Sequence, residues 1–560
     1  MLCNFPHFQD GKESVLTFPN LEPDKMPGAV LVVGGGIGGI QASLDLAESG
    51  YKVYLVEESP AIGGRMAQLD KTFPTNDCSM CILSPKLVEC GRHPNIELLT
   101  YSQLLELEGE PGNFKARVLK RSRYIDPLKC TGCGECAEVC PVEVESEFDL
   151  GLGLRKATYR PYAQAFPNIF TIDKRDRPPC VQACPAGVNA QGYVALISKG
   201  KFAEAYQLIR EELPFPGILG RICPHPCEAE CRRGLVDKPV AICDLKRFVA
   251  DRVGIGPLPP KKAEREERVA IIGSGPAGLT AAYYLALEGY PITIFEALPV
   301  IGGMLRVGIP EYRLPRKVLE DEVQPLKQLG VEFRMNASLG KDFSLDDLFR
   351  QGYKVVFIAV GAHRGRRLGV PGEDATGVVQ GVDFLRDLNL GRKPSVGRKV
   401  IIIGGGNVAI DASRSAVRLG AEEVIILYRR SRAEMPASEE EIEAALEEGV
   451  KIEYLVAPVE ILAQDGRVVG IRCVRMKLGE PDASGRRRPV PLPGSEFTVD
   501  ADMVITAIGQ VPDLSPLEGA GVKISDQGTI EVDPLTLETS RPGVFAGGLS
   551  LIHISEPTRL

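Results

Sequence analysis

The sequence predicts an α/β protein of several domains, and three observations carry that prediction. A strand–glycine turn–helix–strand unit occurs three times, at residues 30–66, 268–304 and 399–430. Cysteines at metal-ligand spacing fill much of the stretch between the first two copies. At 560 residues the chain is too long for one hydrophobic core, so about three to five domains are expected. A net charge of −8 gives no basic footprint for nucleic acid. No apolar run approaches the roughly 18–20 residues that cross a bilayer, and the opening MLCNFPHFQDGKES has no basic-then-apolar leader pattern. No nucleic-acid partner, no membrane insertion and a cytoplasmic location are the expectations. Of fifteen cysteines, all but Cys3 and Cys473 fall between Cys78 and Cys243. In a reducing compartment such a group points to metal or clusters rather than disulfides.

Residues 1–27 read as a tail. The first unit follows, VLVVGGGIGGIQASLDLAESGYKVYLVEESPAIGGRM. An apolar strand runs into Gly34-x-Gly36-x-x-Gly39 and a helix, and a second strand ends in Glu57. The glycines serve a tight turn, backbone approach to a pyrophosphate and close helix–strand contact, and the helix N-terminus supplies an anion site. An acid at the end of the second strand suits a ribose hydroxyl. Gly63 and Gly64 close the unit. The second copy, from Arg268 to Met304, keeps a constant offset: Gly273 and Gly34, Glu296 and Glu57, Gly302 and Gly63 are each 239 residues apart. Gly275, Gly278 and Gly303 therefore stand where Gly36, Gly39 and Gly64 stand. Both are Rossmann-like nucleotide sites.

An acid-ended strand followed by a Gly-Gly pair resembles the FAD site of two-dinucleotide-domain flavoproteins. With the later text TNDCSMCILSPKLVECGRHPNIELLTYSQL, residues 28–175 resemble the flavin-bearing subunit of heterodisulfide reductase. That implies a flavin and iron–sulfur electron carrier, with a partial FAD-binding domain at 28–120. Cys78-x-x-Cys81 and Cys90 have two readings: buried thiols or a loop pair, or else ligands of an irregular cluster or a redox dithiol. At 121–175 lies Cys130-x-x-Cys133-x-x-Cys136-x-x-x-Cys140-Pro141, the bacterial ferredoxin run, which favours a 4Fe–4S cluster over zinc. Whether Cys140 closes the same cluster is open, because no second full run exists.

Residues 176–253 place Cys180-x-x-x-Cys184 before helical text and Cys223-x-x-x-Cys227-x-x-x-Cys231 with Cys243 after it. This resembles the N-terminal iron–sulfur domain of the NADPH-dependent glutamate synthase small subunit and dihydropyrimidine dehydrogenase. It departs from that pattern by lacking a Cys-x-x-Cys before Cys180. One cluster on Cys184, Cys223 and Cys227, with Cys243 or another residue fourth, is expected. Cys180 and Cys231 then need help from elsewhere. Cys3 and Cys473 read as ordinary thiols.

Residues 254–267 are polar and proline-containing and read as a linker. From Arg268 onward the chain resembles the glutamate synthase small subunit family over some 280 residues. GIPEYRLP (308–315) fits that family's flavin-side loop, and the strand ending at Gly361 fits its return beneath FAD. The third unit opens with Gly404-x-Gly406-Asn407-x-Ala409, but its second strand ends in Tyr428-Arg429-Arg430. Arginines suit a 2′-phosphate that a carboxylate would repel, so NADPH is expected there. SEEEIEAALEEG (438–449) reads as a solvated acidic helix. The strand ending at Gly509 resembles the return to the flavin domain. The expected boundaries are thus a FAD-binding domain at 268–395 and 500–548, with an NADPH-binding domain at 396–499 inserted into it. At 549–560 the family's aspartate is replaced by LSLIHISEPTRL, which resembles translated adapter sequence, so a tail outside the fold is expected.

The combined expectation is two flavoprotein units, a ferredoxin-like cluster insert and a helical iron–sulfur domain. It holds FAD at two sites, NADPH and two or more 4Fe–4S clusters, and moves electrons to or from a partner protein in a hetero-oligomeric complex. No side chain reads as an acid–base or nucleophilic catalyst. A glutamate-synthase-type subunit feeding a separate amidotransferase subunit, or a non-catalytic wiring subunit, are the alternatives.

Overall fold

The computed structural model describes residues 28–110, 112–175, 177–482 and 485–550. The expected tail at 1–27, Cys3 and residues 551–560 lie outside them. Two compact units result. One ends at Arg177 and also takes in Leu235–Asp237; the other comprises Pro178–Gly234 and the chain from Lys238 onward. Among the described residues no helix is long and apolar enough to cross a membrane.

In the first unit, β1 (Ala29–Val33), α1 (Ile37–Glu48), β2 (Lys52–Glu57), α2 (Ser79–Arg92) and β3 (Ile96–Thr100) form a parallel sheet in the order β1-β2-β3. Ile40, Leu44, Val53, Leu55, Leu83 and Leu87 make its core, the period-3.6 face of the helices meeting one face of the sheet. An antiparallel hairpin, β4 (Ser102–Glu110) and β5 (Asn113–Lys120), covers the other face through Val118 against Val56 and Leu99.

The second unit begins with helices α3 (Ala190–Ser198), α4 (Phe202–Glu212), α5 (Pro216–Ile222) and α6 (Ile242–Val253). This segment packs directly on the flavoprotein that follows it. Phe215, at the N-cap of α5, and Ile218 on α5 belong to the same core as Val269, Ile271 and Leu279 of the flavoprotein. The segment 254–267 is pinned rather than loose: Leu287 and Gly289 accept from its Lys262 and Arg265 backbone N–H groups, and Arg210 donates to Ile255 O and Pro257 O.

Two five-stranded parallel sheets follow. The first has β6 (Arg268–Ile272), β7 (Ile292–Glu296), β8 (Glu332–Met335), β9 (Tyr353–Ile358) and, far along the chain, a strand at Val544–Ala546, in the order β8-β7-β6-β9 and then Val544–Ala546. Helices α7 (Pro276–Leu287) and α8 (Arg316–Gln328) cover it. The chain leaves through β10 (Arg364–Gly365) and enters the second sheet at β11 (Val378–Gln380), followed by α9 (Gly381–Asn389), β12 (Lys399–Ile403), α10 (Asn407–Arg418), β13 (Glu423–Tyr428), α11 (Glu439–Glu447), β14 (Lys451–Tyr454) and β15 (Met503–Thr506). The order is β11-β15-β12-β13-β14. The expected boundaries at 396 and 499 are therefore corrected: β11 and β15 run in the inserted sheet, not the flavin domain. An apolar run such as MVIT fits the centre of either sheet, and only its pairing with Val400–Ile403 decides. The return crossing is β16 (Gln510–Val511), antiparallel to β10. Val544–Ala546, now β17, closes the first sheet against β9.

Two further expectations are corrected. Leu549 and Ser550 belong to the fold: Ser550 is fully buried and its carbonyl accepts from Ile530 N–H. The helix α11 is solvated on one face only. Glu441 and the following Glu448 hold Arg414, and Glu448 also holds Arg418.

Candidate functional site

The glycine turn between β6 and α7 is built by close approach. A Cβ on Gly278 would stand 2.0 Å from Gly273 O, and one on Gly303 2.8 Å from Gly275 Cα. Gly273, Gly302 and Gly303 have φ of 106°, 119° and 52°, which only glycine adopts without strain. Gly275 caps α7, and a Cβ there would meet nothing within 4 Å. That open wall beside free helix N–H groups is the cradle a pyrophosphate fits. Buried Glu296 ties the turn together. Its Oε2 accepts from Ser274 N–H (2.9 Å) and Ser274 Oγ–H (2.5 Å), and its Oε1 accepts from Leu298 N–H (2.8 Å). Lone-pair capacity remains on Oε1 for a ribose hydroxyl. Ser274 Oγ in turn accepts from Gly302 N–H. The residues present fit a dinucleotide.

The turn after β1 repeats this geometry. Gly39 and Gly64 would clash at 1.9 Å with Gly34 O and 2.8 Å with Gly36 Cα, Gly36 faces open space, and Glu57 accepts from Gly35 N–H (2.6 Å) and Ser59 N–H (2.7 Å). Gly35 N–H takes the place of Ser274 N–H, with no hydroxyl beside it.

In the third turn Gly404 has φ 142°, Gly406 caps α10, Asn407 begins it and Ala409 is fully buried. The two arginines that sequence pairs there are separated. Arg430 is buried; its Nε donates to Arg487 O (2.8 Å) and its Nη2 to Asp482 (2.5 Å). Arg429 is exposed at the strand end. Arg432 is engaged with Glu439 and Glu443. Only Arg429 of these three therefore fits a 2′-phosphate. A link between the two sheets was not legible in sequence. Arg313, in the loop before α8, donates to Asp411 on α10 (2.7 Å) and pairs with Glu441 (3.0 Å). Burial pushes Asp411 up to about 7 against the pull of Arg313. Tyr312 beside it lies under Arg418, 3.8 Å from ring to guanidinium. Gly361 and Gly509 both take positive φ at the ends of their strands, and buried surroundings lower His363, beside Gly361, while Glu296 opposes.

In the helical segment Cys180, Cys184 and Cys227 pack against the core that holds Tyr193. Cys184, Cys223, Cys227 and Cys243 all act on buried Tyr193, whose hydroxyl is pushed up by burial and by these four. Cys243 hydrogen-bonds Cys223, which brings Cys223 down to about 5 and pushes Cys243 up; burial pushes Cys227 up to about 12. Buried Lys246 faces the same thiols, a cation that sequence reasoning missed. Cys180 also neighbours Cys231. Among the described residues no three ligating side chains stand close enough to share one metal ion. A four-iron cube holds its thiolates a cube's width apart, so a sulfur-only set around Tyr193 fits a cluster better than a single ion. In the ferredoxin run, Cys136 is raised by burial and by Cys130 and Cys133. Cys140 differs: burial is outweighed by backbone groups of Val142 and Thr158, which lower it. Cys78 and Cys81 form a disulfide at the N-terminus of α2, while Cys90 is an isolated thiol in the core. Of the readings open for this pair, the disulfide is the oxidised form of a redox dithiol. Cys473 is a buried free thiol.

Comparison with known proteins agrees with this layout. The model of the pyridine nucleotide-disulphide oxidoreductase family matches residues 267–549. Dihydropyrimidine dehydrogenase domain II with its 4Fe-4S cluster matches 174–254, FAD dependent oxidoreductase 29–77, and the 4Fe-4S binding domain 123–145. The chain is 50% identical over 418 residues to NADP(+)-dependent formate dehydrogenase subunit beta of Moorella thermoacetica, covering 70% of this chain and 57% of that one. It is 47% identical over 412 residues to NADPH-Fe(3+) oxidoreductase subunit beta of Geobacter sulfurreducens, covering 68% and 61%. Against the glutamate synthase [NADPH] small chain of Escherichia coli it is 36% identical over 392 residues, covering 66% and 83%. The chain thus spans about three fifths of the length of the first two relatives.

Proposed function

Because this chain belongs to the pyridine nucleotide-disulphide oxidoreductase family, we propose that it is an NADPH-dependent flavin and iron–sulfur oxidoreductase that exchanges electrons with a partner protein. One observation carries this: two complete glycine cradles and a sulfur-lined helical segment share a single compact unit. Bound FAD supplies the chemistry of taking a hydride from NADPH and releasing its electrons singly to 4Fe–4S clusters. The chain's own residues bind and orient. Gly406 and the N-terminus of α10 receive one pyrophosphate, and Gly275 and the N-terminus of α7 the other. Arg429 selects the 2′-phosphate, while Arg430 fixes the strand end through Asp482. Arg313, locked to Asp411, sets the distance between the two cradles. Glu322 on α8 seats the cluster-bearing segment by accepting from Gly217 and Ile218 N–H on α5.

The relatives that are named as beta or small subunits support a hetero-oligomeric partner for this chain, and the match to the glutamate synthase small chain favours as second reading a subunit that feeds a separate catalytic one. NADPH oxidation with an artificial acceptor, measured on anaerobically purified protein, tests the main reading. Arg429→Ala should raise the NADPH Michaelis constant about tenfold or more, as expected for a lost charge-assisted bond of roughly 1.5–3 kcal/mol, with NADH unaffected. Cys223→Ser should lower iron content and spare flavin content. Equal use of NADH and NADPH by the unmodified chain would refute the assignment of the third cradle.

A further inference from the structure

Helix α6 buries one face, made of Ile242, Cys243, Lys246, Val249 and Ala250. Four of these suit a core. Lys246 does not, yet only 8% of it is exposed. It follows Cys243 by three residues, so the two side chains are neighbours on that face. Helix α5 closes over the same place. A Cβ on Gly220 would stand 2.7 Å from Arg247 Cα, and Cys243 Sγ lies 3.6 Å from Gly220 O and 3.7 Å from Leu219 O. Cys223 caps the C-terminus of α5, where its N–H donates to Leu219 O. Lys246 is thus held beside the junction of two cysteine-bearing helix ends.

A buried cation is costly unless an anion faces it. Other cations nearby have one. Arg221 and Arg247 share Asp251, at 2.8 and 3.8 Å. Among the described residues Lys246 pairs with no carboxylate. Glu228, which acts on the same thiols, is engaged: its Oε1 accepts from Cys243 N–H (2.7 Å) and its Oε2 faces His225 (3.5 Å). What Lys246 does face is sulfur. It favours the thiolate of Cys223, where it adds to the hydrogen bond with Cys243. It does the same for Cys227, against burial, and for Cys243, against that hydrogen bond and burial.

Thiolate ligands leave an iron–sulfur cluster with net negative charge, and an added electron increases it. An ammonium fixed beside such a group stabilises its reduced form more than its oxidised form. We propose that Lys246 is the counter-ion of a cluster held by Cys223, Cys227 and Cys243, and that its charge raises the reduction potential of that cluster, making it the acceptor for single electrons from the flavin of the second cradle. One electron enters from the reduced flavin, and no proton moves. This rests on the reading of the helical segment as cluster-bearing.

Substitution of the lysine in the full chain, purified anaerobically, tests it. Lys246→Met keeps an unbranched apolar side chain and removes the charge, and Lys246→Arg keeps the charge. Reduction is followed by paramagnetic resonance at set potentials, and the relevant signal is the one that Cys223→Ser removes. In Lys246→Met the ratio of reduced to oxidised cluster at a fixed potential should fall about tenfold or more, a shift of about 59 mV or more to lower potential for one electron. Lys246→Arg should restore most of it, and the signal of the Cys130–Cys140 run should not move in either variant. Lys246→Gln, neutral but polar, should behave as Lys246→Met does. Loss of iron from both neutral variants, with iron retained in Lys246→Arg, would show that the charge is needed to hold the cluster and would uphold the counter-ion. Loss of iron from all three would assign Lys246 to packing and overturn it. An unmoved or raised potential in an iron-replete Lys246→Met protein would overturn the proposal and leave the reading of the segment standing. A Cys223→Ser protein with unchanged iron and unchanged signals would overturn both.

Discussion

The cradle at residues 29–64 and the one at 268–303 are built alike and housed differently. Each has the same close approaches at its third glycine (Gly39, Gly278) and at the second of its Gly-Gly pair (Gly64, Gly303), and an acid accepting two backbone N–H groups. Around them almost nothing matches. The second sits at the centre of five strands, its acid buried and reinforced by the Ser274 hydroxyl. The first sits at the edge of three, with Gly35 in the serine's place. At the position 239 residues before Glu322, which anchors the helical segment, stands Leu83 in the apolar core. The form of a nucleotide cradle is thus specified within some forty residues, and its environment by residues far away.

The largest expected effect separates the two housings. Gly278→Ala drives a Cβ into Gly273 O in a turn already walled by Ala359. It should cost about 3 kcal/mol or more and strip the bound flavin. Gly39→Ala makes the same clash where Gly34 has room to shift, so its thermal destabilisation should be clearly smaller. Equal losses would break the comparison. Next, Glu296→Gln leaves a buried N–H or hydroxyl unpaired and should cost roughly 2–3 kcal/mol with faster flavin loss on dialysis. Glu57→Gln, at a half-exposed site, should cost about 1 kcal/mol because water replaces the lost acceptor.

A pH experiment sharpens the contrast further. Burial pushes Glu322 up to about 7 from 4.5, opposed by the N–H groups of Ile218 and Gly217 and by Arg210. The folded state therefore prefers the protonated form. Its stabilisation is full below about pH 4.5 and is lost as pH rises through about 7, a change on the order of a few kcal/mol at most. Urea unfolding of the second unit should show that slope, and Glu322→Gln should reduce it, leaving the share of Asp411, which burial also pushes up to about 7. Leu83 gives the first unit no counterpart. The smallest effect is expected from Ser274→Gly, which makes the second cradle resemble the first: about 1 kcal/mol by thermal unfolding, with flavin retained.

The pattern of what sequence revealed follows the same division. Glycines, end-of-strand acids and the thiols were legible because turn geometry and ligand spacing are local. What escaped was pairing between distant residues. Met503–Thr506 reads as a strand in any sheet, and its partners Val400–Ile403 lie about a hundred residues earlier. Arg430 reads like Arg429 until Asp482 claims it. The acidic run of α11 reads as solvated until Arg414 and Arg418 supply its partners, and Phe215 reads as a helix-domain residue until it packs on Tyr283.

The paired crossings β10 and β16 have a consequence for the order in which the molecule assembles. The first five-stranded sheet is interrupted between β9 and β17 by the whole inserted domain. Bringing Val544 to Val356 through an unstructured chain of that length carries a large closure entropy and delays such distant contacts. The inserted domain is contiguous and can collapse on its own. Once it has done so, Arg364 and Val511 are neighbours, and only the short stretches flanking them still need to be ordered. The inserted domain should therefore gain structure before the sheet that surrounds it. During refolding, probes in α10 should report an earlier phase than probes in β17, and a chain stopped before Val544 should retain a folded second sheet beside an unfinished first one.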